Sequence, residues 1–255
     1  MIIEYHRPKT IQEALALVAR VEPISYPLGG GTVLNRPSDE QYAVVDLQAL
    51  GLGGISKKGN FAQVGATANL QQLLEYPGLG IDLYRSIEHE ATTNLRQMAT
   101  IAGTVVSANG RSPLVTVLLA MDADLEIMTS DGKATRWPLG GWLLERNTRR
   151  RGEIISLVSF ATNIKVGYEY VARTPADKPI VCVAVAMWPS GRTRLALGGW
   201  GQTPCLAMDG PEADGIEIAG RNAYSQADDP WASAEYREEM AGILALRCLN
   251  KIKSV

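Results

Sequence analysis

The chain has 255 residues, 46 % of them apolar and 20 % charged, with a net charge of −2. That length holds one large domain or two small ones, and the near-neutral balance gives no reason to expect nucleic acid or an anionic membrane surface as partner. The longest apolar runs, 114–121 and 181–188, are too short for a membrane span, and MIIEYHRPKT lacks the basic start and apolar core of a secretory signal, so a cytoplasmic protein without a membrane span is expected.

Residues 2–5 read as a short strand. A helix is predicted over 11–19, with Thr10 as N-cap, Glu13 completing a capping box, and Ile11, Ala14, Leu15 and Val18 on one apolar face. Pro23 closes it, and 24–28 is a second strand. That strand runs into Gly29-Gly30-Gly31-Thr32-Val33-Leu34, where consecutive glycines can turn several backbone N–H groups toward one phosphate-sized anion. The run is neither the G-x-G-x-x-G fingerprint nor a P-loop with its lysine, and a plain flexible turn is the competing account. Strands follow at 43–46, near Ile55 and at 61–65, the last two joined by the hairpin-type turn Lys58-Gly59-Asn60. Residues 70–75, capped by Thr67-Ala68-Asn69, and 83–90 are predicted helices.

The stretch 93–126 is the centre of the chain. It passes from a polar helical segment, 93–97, through the small-residue turn Thr100-Ile101-Ala102-Gly103-Thr104 to Ser107, Ala108, Asn109 and Gly110. An apolar helix from about Pro113 to Met121 and a strand at 125–128 complete it. Small residues between apolar elements let backbone approach a ligand or a neighbour closely, and Thr100 and Thr104 offer hydroxyls to anionic oxygens. Pro113 suits the first helical position. A tightly packed core loop is the competing account.

A hairpin through Ser130-Asp131-Gly132 leads to a strand at 134–137. Residues 142–152, with Arg146, Arg149, Arg150 and Arg151, read as a boundary; a phosphate site and a solvated linker both fit this charge run. Beyond it, longer strands at 154–160, 167–173, 181–187 and 194–198, the last pair joined by Pro189-Ser190-Gly191, predict an antiparallel sheet. Residues 208–226 read as a short, polar, glycine-rich segment. A closing helix over 232–249 carries a stripe of Met240, Ile243, Leu244 and Arg247-Cys248.

Cys182, Cys205 and Cys248 lie far apart; Cys182 and Cys248 read as small core hydrophobes, and no zinc or iron–sulfur site of this chain's own is expected. His6 and His89 leave little for a histidine-based triad, and His89, in a polar helix, is expected to be exposed. No catalytic acid, base or nucleophile stands out, so an enzyme of this composition would rest on a cofactor.

The two loops together resemble the FAD loops of the medium subunit of the molybdenum hydroxylases, the carbon monoxide dehydrogenase and xanthine dehydrogenase family. Gly29-Gly30-Gly31-Thr32-Val33-Leu34 stands for that family's A-G-G-T-D-L, and Thr100-Ile101-Ala102-Gly103-Thr104 for its T-I-G-G-N. Tyr5-His6-Arg7-Pro8, Val45-Asp46-Leu47, Val64-Gly65-Ala66-Thr67, Leu118-Leu119-Ala120-Met121-Asp122-Ala123, Ala172-Arg173-Thr174-Pro175-Ala176-Asp177, Leu197-Gly198-Gly199 with Thr203-Pro204, and Ser233-Ala234-Glu235-Tyr236-Arg237 extend the likeness over nearly the whole chain.

The resemblance implies an α+β fold: a two-lobed FAD-binding (PCMH-type) module over 1–150, with lobes of about 1–54 and 55–150, then a small antiparallel-sheet and helix domain over 151–255, like the C-terminal domain of the CO dehydrogenase flavoprotein. It implies FAD as cofactor, and an iron–sulfur small subunit and a molybdenum-cofactor large subunit as partners in a heterotrimer or its dimer. The flavin there passes electrons from the iron–sulfur subunit to NAD, a quinone or another acceptor. It places Gly29 to Leu34 and Thr100, Ile101, Gly103 and Thr104 around the pyrophosphate, Ser107 and Asn109 nearby, and Ile155 against the ring. Several positions depart from the family pattern. Ala102 replaces a loop glycine, Thr104 an asparagine that contacts the cofactor, and Ser112-Pro113 a Ser-Asp pair. Tyr170 replaces a lysine that approaches the flavin ring, a loss expected to disfavour the reduced anion. These departures keep a second class open: a structural or interaction subunit of the same fold that has lost flavin. A stand-alone flavin oxidoreductase ranks last, since nothing resembles an added substrate domain or a histidine for covalent flavin.

Overall fold

The computed structural model describes residues 1–35, 39–149 and 151–254. In chain order the elements are β1 (Ile2–His6), α1 (Ile11–Val18), β2 (Ser25–Leu28), β3 (Tyr42–Asp46), β4 (Ile55–Lys58), β5 (Phe61–Gly65), α2 (Leu70–Glu75), α3 (Ile81–Glu90), α4 (Thr93–Arg96), α5 (Ile101–Ser107), α6 (Pro113–Ala120), β6 (Asp124–Met128), β7 (Ala134–Pro138), α7 (Leu139–Glu145), β8 (Ile154–Ala161), β9 (Lys165–Val171), β10 (Val181–Met187), β11 (Thr193–Gly198), β12 (Cys205–Gly210), α8 (Ile216–Ala223) and α9 (Ala234–Ser254). The expected α+β architecture is present.

Two compact units form, each discontinuous in sequence. One comprises Met1–Tyr76, Thr93–Ser107 and Asp124–Ser159; the other comprises Pro77–Thr92, Ala108–Ala123 and Phe160–Val255. The expected division at 150/151 follows the sequence and not this compactness: α3 and α6 count with the second unit.

In the first unit β1, β3 and β2 pair in parallel in that order. Helix α1 covers them, burying Ala14, Leu15 and Val18 against Val45, Leu47 and Ile154. Thr10 caps α1 through the Glu13 amide at 3.3 Å, but the Glu13 carboxylate accepts from the Lys9 amide, not from Thr10. The reciprocal capping box forms instead on α2, between Asn69 and Gln72. The unit's second sheet has the order β4-β5-β8-β6-β7.

In the second unit β12-β11-β10-β9 make a four-stranded antiparallel sheet. Strand β10 is apolar almost throughout because both its faces are buried. Val181, Val183 and Val185 pack with α8 and α9, while the Cys182 thiol faces Thr116 of α6 at 3.6 Å. Cys182 and Cys248 are buried free cysteines, and burial pushes the Cys182 thiol up to about 12.

Several sequence expectations need correction. The polar segment 208–226 carries the second half of β12 and all of α8. Helix α8 opens on Gly215, at a φ of 77° and with no side-chain cap, so no start signal marks it. The boundary at 142–152 begins inside α7, where Trp142 and Leu143 are buried. The packed stripe of α9 runs through Ala241, Leu244, Ala245, Cys248 and Leu249; Met240 and Ile243 sit at its edge and Arg247 is exposed. The segment 100–104 is not a turn: Thr100 precedes α5, and the other four residues are helical. His89 is half-buried, its ring 4.2 Å from Tyr170 and 5.9 Å from Tyr168. Its Nδ1 meets no hydrogen-bond partner among the described residues, because α3 packs that ring toward β9.

Candidate functional site

Strand β2 ends at Leu28, whose carbonyl accepts from the Leu47 amide at 3.0 Å, and delivers the glycine run onto the backbone that precedes α5. A Cβ on Gly30 would stand 1.6 Å from the Met98 carbonyl oxygen, and one on Gly29 2.5 Å from Thr100 Oγ1. Gly31 takes a φ of 70°, which glycine alone adopts without penalty. The first two glycines are therefore required by close chain approach and the third by its dihedral. Beneath them, Leu70 N donates to Ala99 O at 2.9 Å and Ile101 N to Ala68 O at 3.0 Å, fixing the 99–101 segment. Among the described residues, the amides of Gly30, Gly31 and Thr32 meet no acceptor.

The loop lines a cleft of about 400 Å³ within the first unit, within the range of small-molecule and cofactor sites. Its other walls come from the start of α5, from Ile127 and Ile155 in the five-stranded sheet, and from Trp142 and the chain after α7. The apolar wall was not anticipated. Val18 comes from α1, Ile24 from the turn before β2 and Trp142 from α7, and each carries only an ordinary core signal in the sequence. A second cavity of about 390 Å³ borders Gly29, Gly30 and Thr67 and is lined by the amide side chains of Gln48, Asn69, Gln72 and Gln97.

Of the residues singled out from sequence, Gly29, Gly30, Gly31, Thr32, Val33, Leu34, Thr100, Gly103, Ser107 and Ile155 come together in the cleft lining. Ile101 is fully buried instead. Helix α5 uses the hydroxyl protons of Thr104 and Ser107, whereas the Thr100 hydroxyl only accepts there and keeps its proton for another acceptor. Thr100 Oγ1 accepts from Gly103 N at 3.1 Å, Thr104 Oγ1 donates to Thr100 O at 2.9 Å, and Ser107 Oγ donates to Gly103 O at 2.7 Å. Thr104 is not among the lining residues. Asn109 and Tyr170 belong to the second unit. Asn109 accepts from the Arg111 amide at 2.9 Å, and Tyr170 stacks on Tyr168 at 5.8 Å. Ser112 caps α6, and its hydroxyl donates to Glu90 at 2.6 Å.

The basic run is part of the cleft. Arg146, Arg149 and Arg151 line it together with Glu153; Arg150 lies outside the described residues. Arg149 Nε donates to Glu153 Oε2 at 2.8 Å, and its guanidinium lies 4.3 Å over the Trp137 ring. Burial pulls the Arg146 guanidinium below its usual range. Amides with no acceptor among the described residues, an apolar wall and guanidinium groups in one cleft suit an anionic ligand that also carries rings.

Residues 1–160 match the family model of the FAD binding domain in molybdopterin dehydrogenase. The chain is 26 % identical over 251 residues to the uncharacterized protein YgfM of Escherichia coli (strain K12), covering 96 % of this chain and 94 % of that one. It is 25 % identical over 281 residues to the carbon monoxide dehydrogenase medium chain of Afipia carboxidovorans, covering 98 % and 96 %. Among solved structures, it resembles a chain of the cyanide-inactivated Cu,Mo-CO dehydrogenase with a TM-score of 0.82 at 23 % identity, over 100 % of this chain and 98 % of that one. At that identity the likeness speaks for the fold.

Proposed function

From the membership of this chain in the family of FAD-binding domains of molybdopterin dehydrogenases, we propose that it is the FAD-binding electron-transfer subunit of a molybdenum hydroxylase. Its partners would be an iron–sulfur small subunit and a molybdenum-cofactor large subunit, in a heterotrimer or its dimer. Electrons would enter from the iron–sulfur subunit and leave to NAD, a quinone or another acceptor. In this reading 1–150 is the FAD-binding segment and 151–255 the C-terminal domain, and the protein works in the cytoplasm. No helix among the described residues is long and apolar enough to cross a membrane.

The observation that carries the reading is the meeting of the glycine loop with the start of α5 in one cleft, with the amides of Gly30, Gly31 and Thr32 meeting no acceptor among the described residues. That donor set fits a dinucleotide. The amides would hold the pyrophosphate, and their capacity does not depend on the side chains that differ from the family pattern at 102 and 104. Ile155, Ile127 and Trp142 offer apolar surface for rings. Bound FAD supplies the redox chemistry. The chain's own residues bind and orient it and exclude water; none has to act as acid or base.

The test is the visible absorption of the purified full chain, with analysis of the supernatant after denaturation. The reading expects a flavin spectrum and near-stoichiometric release of FAD, and co-elution with an iron–sulfur and a large subunit from the native source. A folded, colourless chain that stays colourless with excess FAD would overturn it.

A further inference from the structure

An indole left in water forgoes the burial that an aromatic side chain usually finds, and one held rigid there is a ready anchor for a partner. Trp231 is 44 % exposed, in the turn between α8 and α9 of the second unit. That turn is fixed in place. Asp229 Oδ1 accepts from the Trp231 amide at 2.8 Å and the Ala232 amide at 3.2 Å, and the fully buried Arg237 donates to the same oxygen at 2.7 Å. Two guanidinium groups of the same unit stand at the Trp231 ring, Arg111 at 4.3 Å from its centre and Arg173 at 4.7 Å. Arg111 precedes α6 and is itself held, its Nε donating to Pro179 O at 2.8 Å and its Nη2 to Lys178 O at 2.5 Å. Burial pulls its guanidinium below the usual range, with Arg237 and Arg173 adding to the effect and Asp229 and Asp177 opposing it. Arg173 follows β9 and is exposed. Neither Arg111 nor Arg173 has a carboxylate in ion-pair reach among the described residues, and Arg173 makes no hydrogen bond among them. Structural stitching accounts for Arg111, which closes on two carbonyls. It leaves Arg173 with five N–H donors and only a ring to meet.

We propose that Trp231, Arg111 and Arg173 form a docking point for an acidic segment of a partner protein, the indole packing on the segment's apolar atoms and the guanidinium groups taking its carboxylates. Tryptophan and arginine carry much of the binding at protein interfaces, and side chains already ordered in the free protein lose less freedom when the partner arrives. The charges select the partner. Two cations brought to one ring repel each other, and a carboxylate between them relieves this while matching the planar fork of a guanidinium. A nucleic acid needs an extended positive surface, which a chain of net charge −2 does not favour. The docking point lies wholly in the second unit and does not rest on the flavin reading.

The test is calorimetric titration of the full chain at low ionic strength with a short peptide that carries glutamates and a leucine between Gly-Ser spacers. The same peptide with glutamine for glutamate, and inorganic phosphate, are titrated beside it. The glutamate peptide should bind about tenfold or more tightly than either, the scale of one charge-assisted contact, and added salt should weaken it. Arg173→Gln and Arg111→Gln should erase the difference, Trp231→Ala should weaken both peptides, and Arg173→Lys, which keeps the charge but not the fork, should recover only part. Arg173 and Trp231 are exposed, so their variants keep the test open should Arg111→Gln fold poorly. Equal binding of the two peptides, or a glutamate peptide that binds Arg173→Gln as it binds the parent, would overturn the docking point. Phosphate binding as tightly as the glutamate peptide would overturn it in favour of a small-anion site. A dimer of the full chain that dissociates in Arg173→Gln would overturn it in favour of a second copy. FAD enters none of these titrations, so a colourless chain would strike at the flavin reading alone.

Discussion

Replacing Gly30 by alanine tests the seating of the glycine loop most directly. The added Cβ would lie 1.6 Å from the Met98 carbonyl oxygen, 2.4 Å from its carbon and 3.2 Å from the Ala99 nitrogen. Carbon contacts settle at about 3.5 Å or beyond, so the clash is with backbone and no rotamer change relieves it. Either the loop or the chain before α5 has to move by about 2 Å. Overpacking costs ~1–3 kcal/mol, and a backbone clash belongs at the upper end. A chain of this size loses roughly 2–4 °C in Tm per kcal/mol, so Gly30→Ala should melt roughly 5–10 °C lower.

The same displacement turns the amides of the loop away from the cleft. Thermal melts with and without FAD read this second effect. A ligand at a hundred times its Kd adds about 2.7 kcal/mol to the folded state, so the parent chain should gain several degrees with FAD and Gly30→Ala should gain almost none. Two neighbours calibrate the result. Gly31→Ala meets nothing closer than Leu28 Cδ1 at 3.4 Å but is forced to a φ of 70°, a cost of about 1–2 kcal/mol. Gly53→Ala meets only Thr67 Oγ1, at 3.5 Å, and should stay within about 0.5 kcal/mol of the parent. A Gly30→Ala protein with the parent's Tm and FAD increment would refute both the close approach to Met98 and the role assigned to the loop amides.

Arg237, fully buried, ties α9 to the sheet by donating to Ile180 O at 3.2 Å, Ala227 O at 2.5 Å, Ala232 O at 2.9 Å and Asp229 Oδ1 at 2.7 Å. Arg237→Ala strands those acceptors and should lower stability by about 3–5 kcal/mol, read as a fall in the urea midpoint; Arg237→Lys keeps the charge but not the fork and should recover only part of it. Glu90, its side chain 10 % exposed, accepts from Ser112 Oγ at 2.6 Å, Leu114 N at 3.1 Å and Lys178 Nζ at 2.6 Å. Glu90→Ala should cost about 2–4 kcal/mol in a denaturation series, and an unchanged midpoint would show that α3 and α6 do not depend on it. Burial, with Arg85 nearby and only Glu88 opposing, lowers the pKa of His89 from 6.5. The unfolded chain then binds its proton more readily, so this contribution is complete above about pH 6.5 and declines as pH falls toward the folded value. His89→Phe should flatten the stability curve between about pH 7.5 and 5.5, while the acid loss from Asp209 and Asp229, whose carboxyls sit below their usual range, should persist at lower pH.

The sequence made one kind of feature legible and hid another. Where a residue's local chemistry decides its structure, the expectation and the structure agree. The 181–187 strand, the Pro113 helix start and the hairpin at Gly59 all follow from short-range rules. The glycine run was legible too, although its cause is tertiary: two of the three glycines are set by the chain at 98–100, not by the turn they make. Helix α8 was hidden because its stability comes from packing against α9, where a Cβ on Gly220 would already stand 3.2 Å from the Ala241 carbonyl oxygen, and not from a cap or a long apolar stripe.

The candidate site divides along the same line. Thr100 and Thr104 look like anion ligands in a list of residue types, since a hydroxyl can donate to any oxygen. Once α5 forms, the Thr104 hydroxyl spends its proton on the Thr100 carbonyl, as threonines on a helix commonly do, while the Thr100 hydroxyl caps the Gly103 amide as an acceptor and keeps its own proton. What faces the cleft from the glycine loop is backbone, whose availability no residue type announces. The arginines show the converse. A charge run of this kind reads as solvated by default, and only the fold places it against a cavity. Ligand binding at this cleft should therefore respond more to changes that move backbone at Gly29–Thr32, or that remove a guanidinium from the α7–β8 wall, than to replacement of the Thr104 hydroxyl.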